Sequence, residues 1–90
     1  MYKDPNAVLP FAVDWTEWLT AEGDTAAGAD WIVPDGITQA TDPAPSLDGG
    51  VATVWLTGGT TGETYAVVCR LTTTGGRIDD RTLTVTVLER

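Results

Sequence analysis

The chain has 90 residues, of which 42% are hydrophobic and 20% are charged, a composition typical of one small globular domain. Its 13 acidic and 5 basic residues leave a net charge of −8. Nucleic acids and anionic membranes bind clusters of Lys and Arg, so this charge predicts that the chain binds neither.

The chain contains no histidine and only one cysteine, Cys69. It therefore lacks the commonest general base and metal ligand, and it cannot form an internal disulfide. Because no histidine can convert its thiol into a thiolate, Cys69 is predicted to be an inert core residue. The first 11 residues hold no long apolar run, so we expect no signal peptide, and no run reaches membrane-spanning length.

Threonine is the most frequent residue and glycine is plentiful, which indicates strands joined by turns. The first predicted strand covers residues 8–15. It contains Pro10, which lacks an N–H, so this strand should lie at a sheet edge or break there. Its apolar residues alternate on one face: Leu9, Phe11, Val13 and Trp15. Residues 16–20 then form a short bridge or one helical turn.

Residues 24–33 are predicted as the second strand, and an Asp-Gly turn leads to a short third strand over residues 37–40. Residues 41–50 hold two prolines, two aspartates and two glycines and are predicted as a loop. Glycine turns at residues 58–62 and 75–76 separate the remaining predicted strands, which cover residues 51–57, 63–73 and 78–88.

Strands about every 8–12 residues predict an all-β fold, a small immunoglobulin-like β-sandwich of about six or seven antiparallel strands. We expect residues 1–90 to form this single domain, with residues 1–7 as an N-terminal arm. The strand over residues 63–73 directs every second residue inward, from Tyr65 to Leu71. Tyr65 also lies near the position where such sandwiches often place a corner tyrosine.

The four tryptophans invite two interpretations. A row of exposed rings would form a platform on which sugars stack, whereas buried rings would belong to the core. Trp15, Trp18 and Trp31 fall at apolar positions or at the ends of the sandwich, and we expect them in the core.

Trp55 lies on a strand whose periodicity leaves two choices open. Either Val51 and Trp55 face inward, or Val54 and Leu56 do. In the second case Trp55 is exposed, and Arg70 is also expected on an outer face. Because Trp and Arg are enriched in protein interfaces, both are candidate interface residues.

Asp79, Asp80 and Arg81 complete the predicted interface residues. Calcium accepts oxygen ligands from adjacent aspartates, but this segment lacks the dense Asp-x-Asp spacing of a dedicated calcium loop. We therefore predict no metal site and no cofactor. The other interpretation is charge pairing of these residues with Arg77 and Asp14. We also predict no catalytic residues, because a sandwich of this size rarely encloses a cleft and no activated thiol is available.

Eleven short motifs follow one another in an order that resembles a known family: Lys3-Asp4-Pro5, Val8-Leu9, Val13-Asp14-Trp15, Trp18-Leu19, Gly23-Asp24-Thr25, Trp31-Ile32-Val33-Pro34, Gly36-Ile37, Gly58-Gly59-Thr60, Gly62-Glu63-Thr64-Tyr65, Gly76-Arg77 and Asp79-Asp80-Arg81. The family consists of small tail-associated proteins of tailed bacteriophages and prophages, described as fiber-tail adaptor proteins. The resemblance covers nearly the whole chain. The chain departs from the family at Pro10 and over residues 41–48, where it is richer in proline.

The resemblance implies a non-enzymatic structural component of the virion. Such a protein is an adaptor that links fiber or accessory proteins to the tail, and several copies are expected in the assembled particle. It would be made in the host cytoplasm and then reside in the virion. The alternative function is a carbohydrate- or host-surface-binding immunoglobulin-like module, which would need exposed aromatic rings.

Overall fold

Alternating apolar side chains divide the chain into strands, and the computed structural model describes residues 1–89 as eight strands and one helix. In chain order the elements are β1 (Tyr2–Lys3), β2 (Leu9–Asp14), α1 (Thr16–Glu22), β3 (Ala26–Ile32), β4 (Ile37–Gln39), β5 (Ser46–Asp48), β6 (Val51–Gly58), β7 (Thr64–Thr73) and β8 (Ile78–Val87). The prediction of an all-β fold is confirmed.

The strands form two sheets that pack face to face. The front sheet has the strand order β1-β8-β7-β3, and the back sheet has the order β2-β6-β4, with β5 also paired to β6. β1 joins β8 in parallel, whereas the other strand pairs of the described chain are antiparallel. Pro10 lies in β2, at one edge of the back sheet, where a missing N–H is tolerated.

The core lies between the inner faces of the two sheets. β7 buries four alternate residues, as predicted: Tyr65, Val67, Cys69 and Leu71. β6 buries Ala52, Val54 and Leu56, so the open choice on this strand is decided and Trp55 faces away from the core. The buried residues form two clusters, and Trp31 and Leu83 pack against both of them.

Trp15 closes one end of the sandwich. Its side chain is 0% exposed, and its backbone N–H donates to the carbonyl of Gly50 at 2.9 Å. α1 starts directly after Trp15, brings Leu19 into the core, and ends at Gly23, whose φ of 64° suits a left-handed cap. This segment was predicted as a bridge or one helical turn, and it is a helix of seven residues.

The sequence prediction missed two short strands, β5 and β1. β5 lies inside residues 41–50, which were predicted as a loop, so that prediction is wrong for Ser46–Asp48. Leu47 pairs in register with Ala52 and packs against the core, which gives this short strand its anchor. β1 is the second, and its parallel pairing differs from the antiparallel sheet that was predicted. The count is therefore eight strands among the described residues rather than six or seven.

Lys3 attaches β1 to the rest of the fold. Its side chain is buried, and the Nζ atom donates to the carbonyls of Asp4 and Gly58, each at 2.7 Å. Burial lowers the pKa of Lys3. Since Gly58 ends β6 in the back sheet while β1 belongs to the front sheet, this ammonium group connects the two sheets.

Tyr65 makes the contact expected of a corner tyrosine. Its hydroxyl oxygen accepts a hydrogen bond from the backbone N–H of Thr60 at 2.9 Å. The ring lies so close to Gly36 that a Cβ there would sit 3.0 Å from it, and Gly36 has a φ of 97°, which also favours glycine. The contact holds the turn before β7 against the start of that strand. The immunoglobulin-like type of the sandwich stays a prediction.

Asp24 holds the β7–β8 hairpin against the connection between α1 and β3. Its carboxylate accepts hydrogen bonds from the backbone N–H groups of Thr25 and Gly75 at 2.8 and 3.0 Å. It also accepts one from Nη1 of Arg77 at 2.8 Å, and its side chain is only 6% exposed. Hydrogen bonds to the carboxylate hold the pKa of Asp24 well below its ordinary value. The largest effect comes from the Thr73 hydroxyl, and the next largest comes from the backbone N–H of Thr25.

The described residues 1–89 include no helix with the length and apolar character needed to cross a membrane.

Replacing Trp15 with alanine tests the end of the core. We expect Trp15→Ala to lower the free energy of unfolding by about 3–5 kcal/mol, because it removes a fully buried ring and leaves a cavity. Urea denaturation followed by circular dichroism measures this loss. The matched control is Trp55→Ala, on a half-buried ring outside the core, which should cost clearly less. Equal losses in the two variants would contradict the assignment of Trp15 as the core residue.

Asp24→Asn tests the hairpin contact through its pH dependence. The native carboxylate has a lowered pKa, so its stabilising effect is fully present above the ordinary value of 3.8 and is lost as the pH falls below it. We expect the wild type to melt at a higher temperature than Asp24→Asn at pH 7, and the difference to shrink below about pH 4. Asp42→Asn, which removes the same charge from a loop, is the control. A melting difference that stays constant down to pH 3 would argue against this role for Asp24.

Candidate protein-interaction surfaces

Arg70 lies on the outer face of the front sheet. It alternates along β7 with the buried residues Cys69 and Leu71, so its side chain must point away from the core. Asp80 is its register partner on β8. The guanidinium of Arg70 makes a bidentate contact, in which Nε and one Nη donate to the two carboxylate oxygens of Asp80 at 2.8 and 3.0 Å.

The Arg70–Asp80 pair remains open to solvent, with side chains that are 47% and 43% exposed. The hydrogen bond from Arg70 lowers the pKa of Asp80, and the same contact raises the pKa of Arg70, so both groups are charged at neutral pH. Exposed ion pairs add little to folding stability because water and salt screen them. These two charges are therefore available to a partner without much loss to the fold.

Two exposed isoleucines lie on the same outer face, on either side of the Arg70–Asp80 pair. Ile32 of β3 pairs in register with Val68 of β7, which pairs in turn with Thr82 of β8. Ile32 is 46% exposed, and Ile78, at the start of β8, is 65% exposed. Exposed β-branched residues beside an ion pair make a mixed surface of the kind found in protein interfaces. Sequence reasoning missed Ile32 and Ile78, although their spacing from inward residues on β3 and β8 could have indicated them.

Arg81 points to the other side of β8 from Asp80. Its guanidinium carbon lies 4.4 Å from the centre of the Trp15 ring, in a cation–π contact. One Nη also donates to the backbone carbonyl of Asp14 at 2.9 Å. Arg81 therefore joins the edge of the front sheet to the end of β2 in the back sheet.

Asp79 lies beside Asp80 and turns its carboxylate back to the strand. One oxygen accepts a hydrogen bond from the backbone N–H of Asp80 at 2.9 Å. The predicted charge pairing is therefore found in a different arrangement. Asp80 pairs with Arg70, and Arg77 pairs with Asp24.

Trp55 lies on the outer face of the back sheet. It pairs in register with Pro10, and the N–H of Ala40 donates to its backbone carbonyl at 2.8 Å. Its side chain is half-buried rather than fully exposed. Since Arg70 and Asp80 are on the opposite side of the sandwich, the five predicted interface residues do not form one patch. They divide between the front face, the edge of β8 and the back face.

The remaining tryptophans do not extend Trp55 into a row. Trp15 is buried, and its ring meets that of Trp18 edge-on, with 5.5 Å between their centres. Trp18 and Trp31 are half-buried and pack against the core, as predicted. A sugar-binding platform needs several exposed rings on one surface, and the four tryptophans do not provide it.

The carboxylates and the thiol of the described residues do not gather into a metal site. A cleft of about 600 Å³ opens between α1 and the β5–β6 turn, but the one carboxylate that lines it, Asp24, is already held by hydrogen bonds. Cys69 is buried and free, and burial raises the pKa of its thiol. No group of three or more His, Cys, Asp or Glu side chains gathers within residues 1–89 in a way that could hold a metal ion.

One protein-family model matches residues 3–86, which run from β1 to nearly the end of β8. The family is described as Podophage GP4 fiber-tail adaptor protein gp77. No curated protein matches the chain significantly in sequence.

The reactivity of Cys69 tests whether the thiol has any chemical role. We expect Ellman's reagent to modify it at least about a thousandfold more slowly in the folded protein than in denaturant, because only the rare unfolded population exposes it. Absorbance at alkaline pH follows the reaction. Fast modification of the folded protein would show an accessible, activated thiol instead.

Proposed function

The chain belongs to the podophage fiber-tail adaptor family, which makes it a structural component of a phage tail, and on that premise we propose that it joins a fiber or accessory protein to the tail. The observation that carries the proposal is the family match over residues 3–86, which includes strands of both sheets. In this role the protein binds its partners and catalyses no reaction.

The placement of the candidate surfaces supports a connecting role. An adaptor must hold two proteins at once, and the chain presents distinct surfaces on opposite sides of a rigid sandwich. The front face offers the Arg70–Asp80 pair with Ile32 and Ile78. The back face offers Trp55 among small residues such as Pro10 and Ala40. We assign one partner to each face.

Each of these surfaces is small, so a single copy would hold its partners weakly. Several copies arranged around a symmetric tail would add their contacts, because each contact after the first forms at a high effective concentration. We therefore propose multiple copies in each particle. The negative charge of the chain also agrees with partners that are proteins rather than nucleic acid or membrane.

Mass spectrometry of purified phage particles, combined with cross-linking, tests the proposal. The only lysine, Lys3, is buried, so the N-terminal amine is left as the single accessible point of attachment for reagents that join two amines. Carbodiimide coupling suits it better, since it joins the many surface carboxylates to lysines of a neighbour. We expect the chain to be present in the particles and coupled to both a tail protein and a fiber or accessory protein. Its consistent absence, with other tail proteins detected, would overturn the proposal.

Face-directed variants test the assignment of one partner to each side. We expect Trp55→Ala to reduce at least about tenfold the links made by the back-face carboxylates of Asp14 and Asp48, since Trp is commonly a dominant interface residue. Links from Asp30, which neighbours Arg70 on the front face, should persist. The converse pattern is expected for Arg70→Ala.

The control for both variants is Thr61→Ala, in the exposed turn before β7. If Trp55→Ala and Arg70→Ala removed the same links, the two faces would not serve separate partners.

A further inference from the structure

β8 has a full partner on one side only. β7 pairs with it from Ile78 to Thr86, whereas β1 pairs with it only at Thr86 and Val87. Among residues 1–89, no strand lies beside the other edge of β8 before that point. An unpaired edge presents a row of backbone donors and acceptors that another chain can use.

The hydrogen bonds at the end of β8 show which groups point to this open edge. The N–H groups of Thr86 and Leu88 donate to the carbonyls of Met1 and Lys3, both at 2.8 Å, on the β1 side. Since groups alternate along a strand, the N–H groups of Thr82 and Thr84 point to the same side. The described chain provides no hydrogen-bond acceptor for either of them.

The open segment has defined ends. At one end the N-terminal amine donates to the carbonyl of Thr84 at 3.2 Å. At the other end the N–H of Asp80 is already satisfied by the carboxylate of Asp79. Residues 80–84 run from one of these points to the other and extend for roughly 17 Å, which is enough for a short added strand.

Other edges of the sandwich are less suited to strand addition. β2 contains Pro10, which removes a donor, and β3 has an irregular register between Ala26 and Gly28. The edge of β8 contains neither a proline nor an irregular register, and its residues Thr82 and Thr84 are exposed. β1 already pairs with the end of this edge, at Thr86 and Val87, which shows that the edge can accept an added strand.

We propose that residues 80–84 of β8 receive an extended strand from a tail or fiber partner protein, and that this strand carries basic side chains opposite Asp79 and Asp80. Exposed carboxylates at the end of the open segment, on a chain with a net charge of −8, favour a basic occupant. The net charge of −8 on each copy also disfavours a second copy of this chain as the occupant. The inference rests on the proposed adaptor function.

Thr82→Pro tests the edge directly. Proline removes the outward N–H but leaves the inward bonds to β7, which come from neighbouring residues, and Thr82→Val is the matched control that keeps the N–H. Each variant is supplied to a phage that lacks the gene, after circular dichroism has shown that it folds. We expect mass spectrometry to find Thr82→Pro depleted about tenfold in particles relative to Thr82→Val, because the added strand loses a backbone hydrogen bond and meets the proline ring. Equal incorporation would overturn the inference.

A second comparison removes charge without changing the edge. Asp79→Asn keeps the oxygen that accepts from Asp80, and Asp42→Asn removes a charge from a distant loop. We expect particles to contain about twofold to fivefold less Asp79→Asn than Asp42→Asn. This difference corresponds to the loss of one opposite-charge pair between neighbouring strands. Equal effects would contradict a basic occupant.

Hydrogen exchange of the wild type keeps the inference testable if Thr82→Pro does not fold. We expect the amides of Thr82 and Thr84 to exchange at least about tenfold more slowly in particles than in the free protein. Absence of the wild-type chain from particles would count against the adaptor function. Its presence with unprotected amides would count against strand addition alone. Protection that appears in the free protein together with dimerisation, measured by sedimentation, would identify a second copy as the occupant and overturn the partner strand.

Discussion

The two-residue period of β7 is the constraint on which the rest of the structure depends. This strand lies between β8 and β3, and its inner side fills the centre of the core with alternate residues from Tyr65 to Leu71. A shift of one residue would bury Arg70 and expose Leu71, so the register has one workable solution. That solution places Arg70 on the outer face opposite Asp80, and it creates the front surface as a consequence of core packing.

The charged residues divide into two groups according to what they contact. Lys3, Asp24 and Arg81 each join separate parts of the fold, and their partners are mostly backbone groups. The side chains of Arg70 and Asp80 pair with each other on an exposed face. The first group contributes to folding, because a lost partner would leave a polar group unsatisfied. The second group contributes little to stability and is available for recognition.

In the proposed connecting role, a protein of this size must remain folded while several of its surfaces are covered by neighbours. The sandwich meets this requirement because its core lies entirely between the sheets, so both outer faces and the open edge of β8 can change their contacts without repacking the interior. The net charge of −8 opposes the association of free copies with one another. A basic partner strand would remove this repulsion only at the site of assembly.

The sequence alone determined the all-β class, the inward residues of β7, the edge position of Pro10 and the buried state of Cys69. These features depend on local periodicity and on the missing N–H of proline, which act within one strand. Only the tertiary structure decided that Trp55 faces outward, because the run from Val51 to Leu56 is apolar on both faces and the opposite sheet selects one of them. It likewise separated Arg81 from Arg70 and paired β1 and β5 with their neighbours, since two or three residues form a strand only where a longer strand supplies the hydrogen bonds.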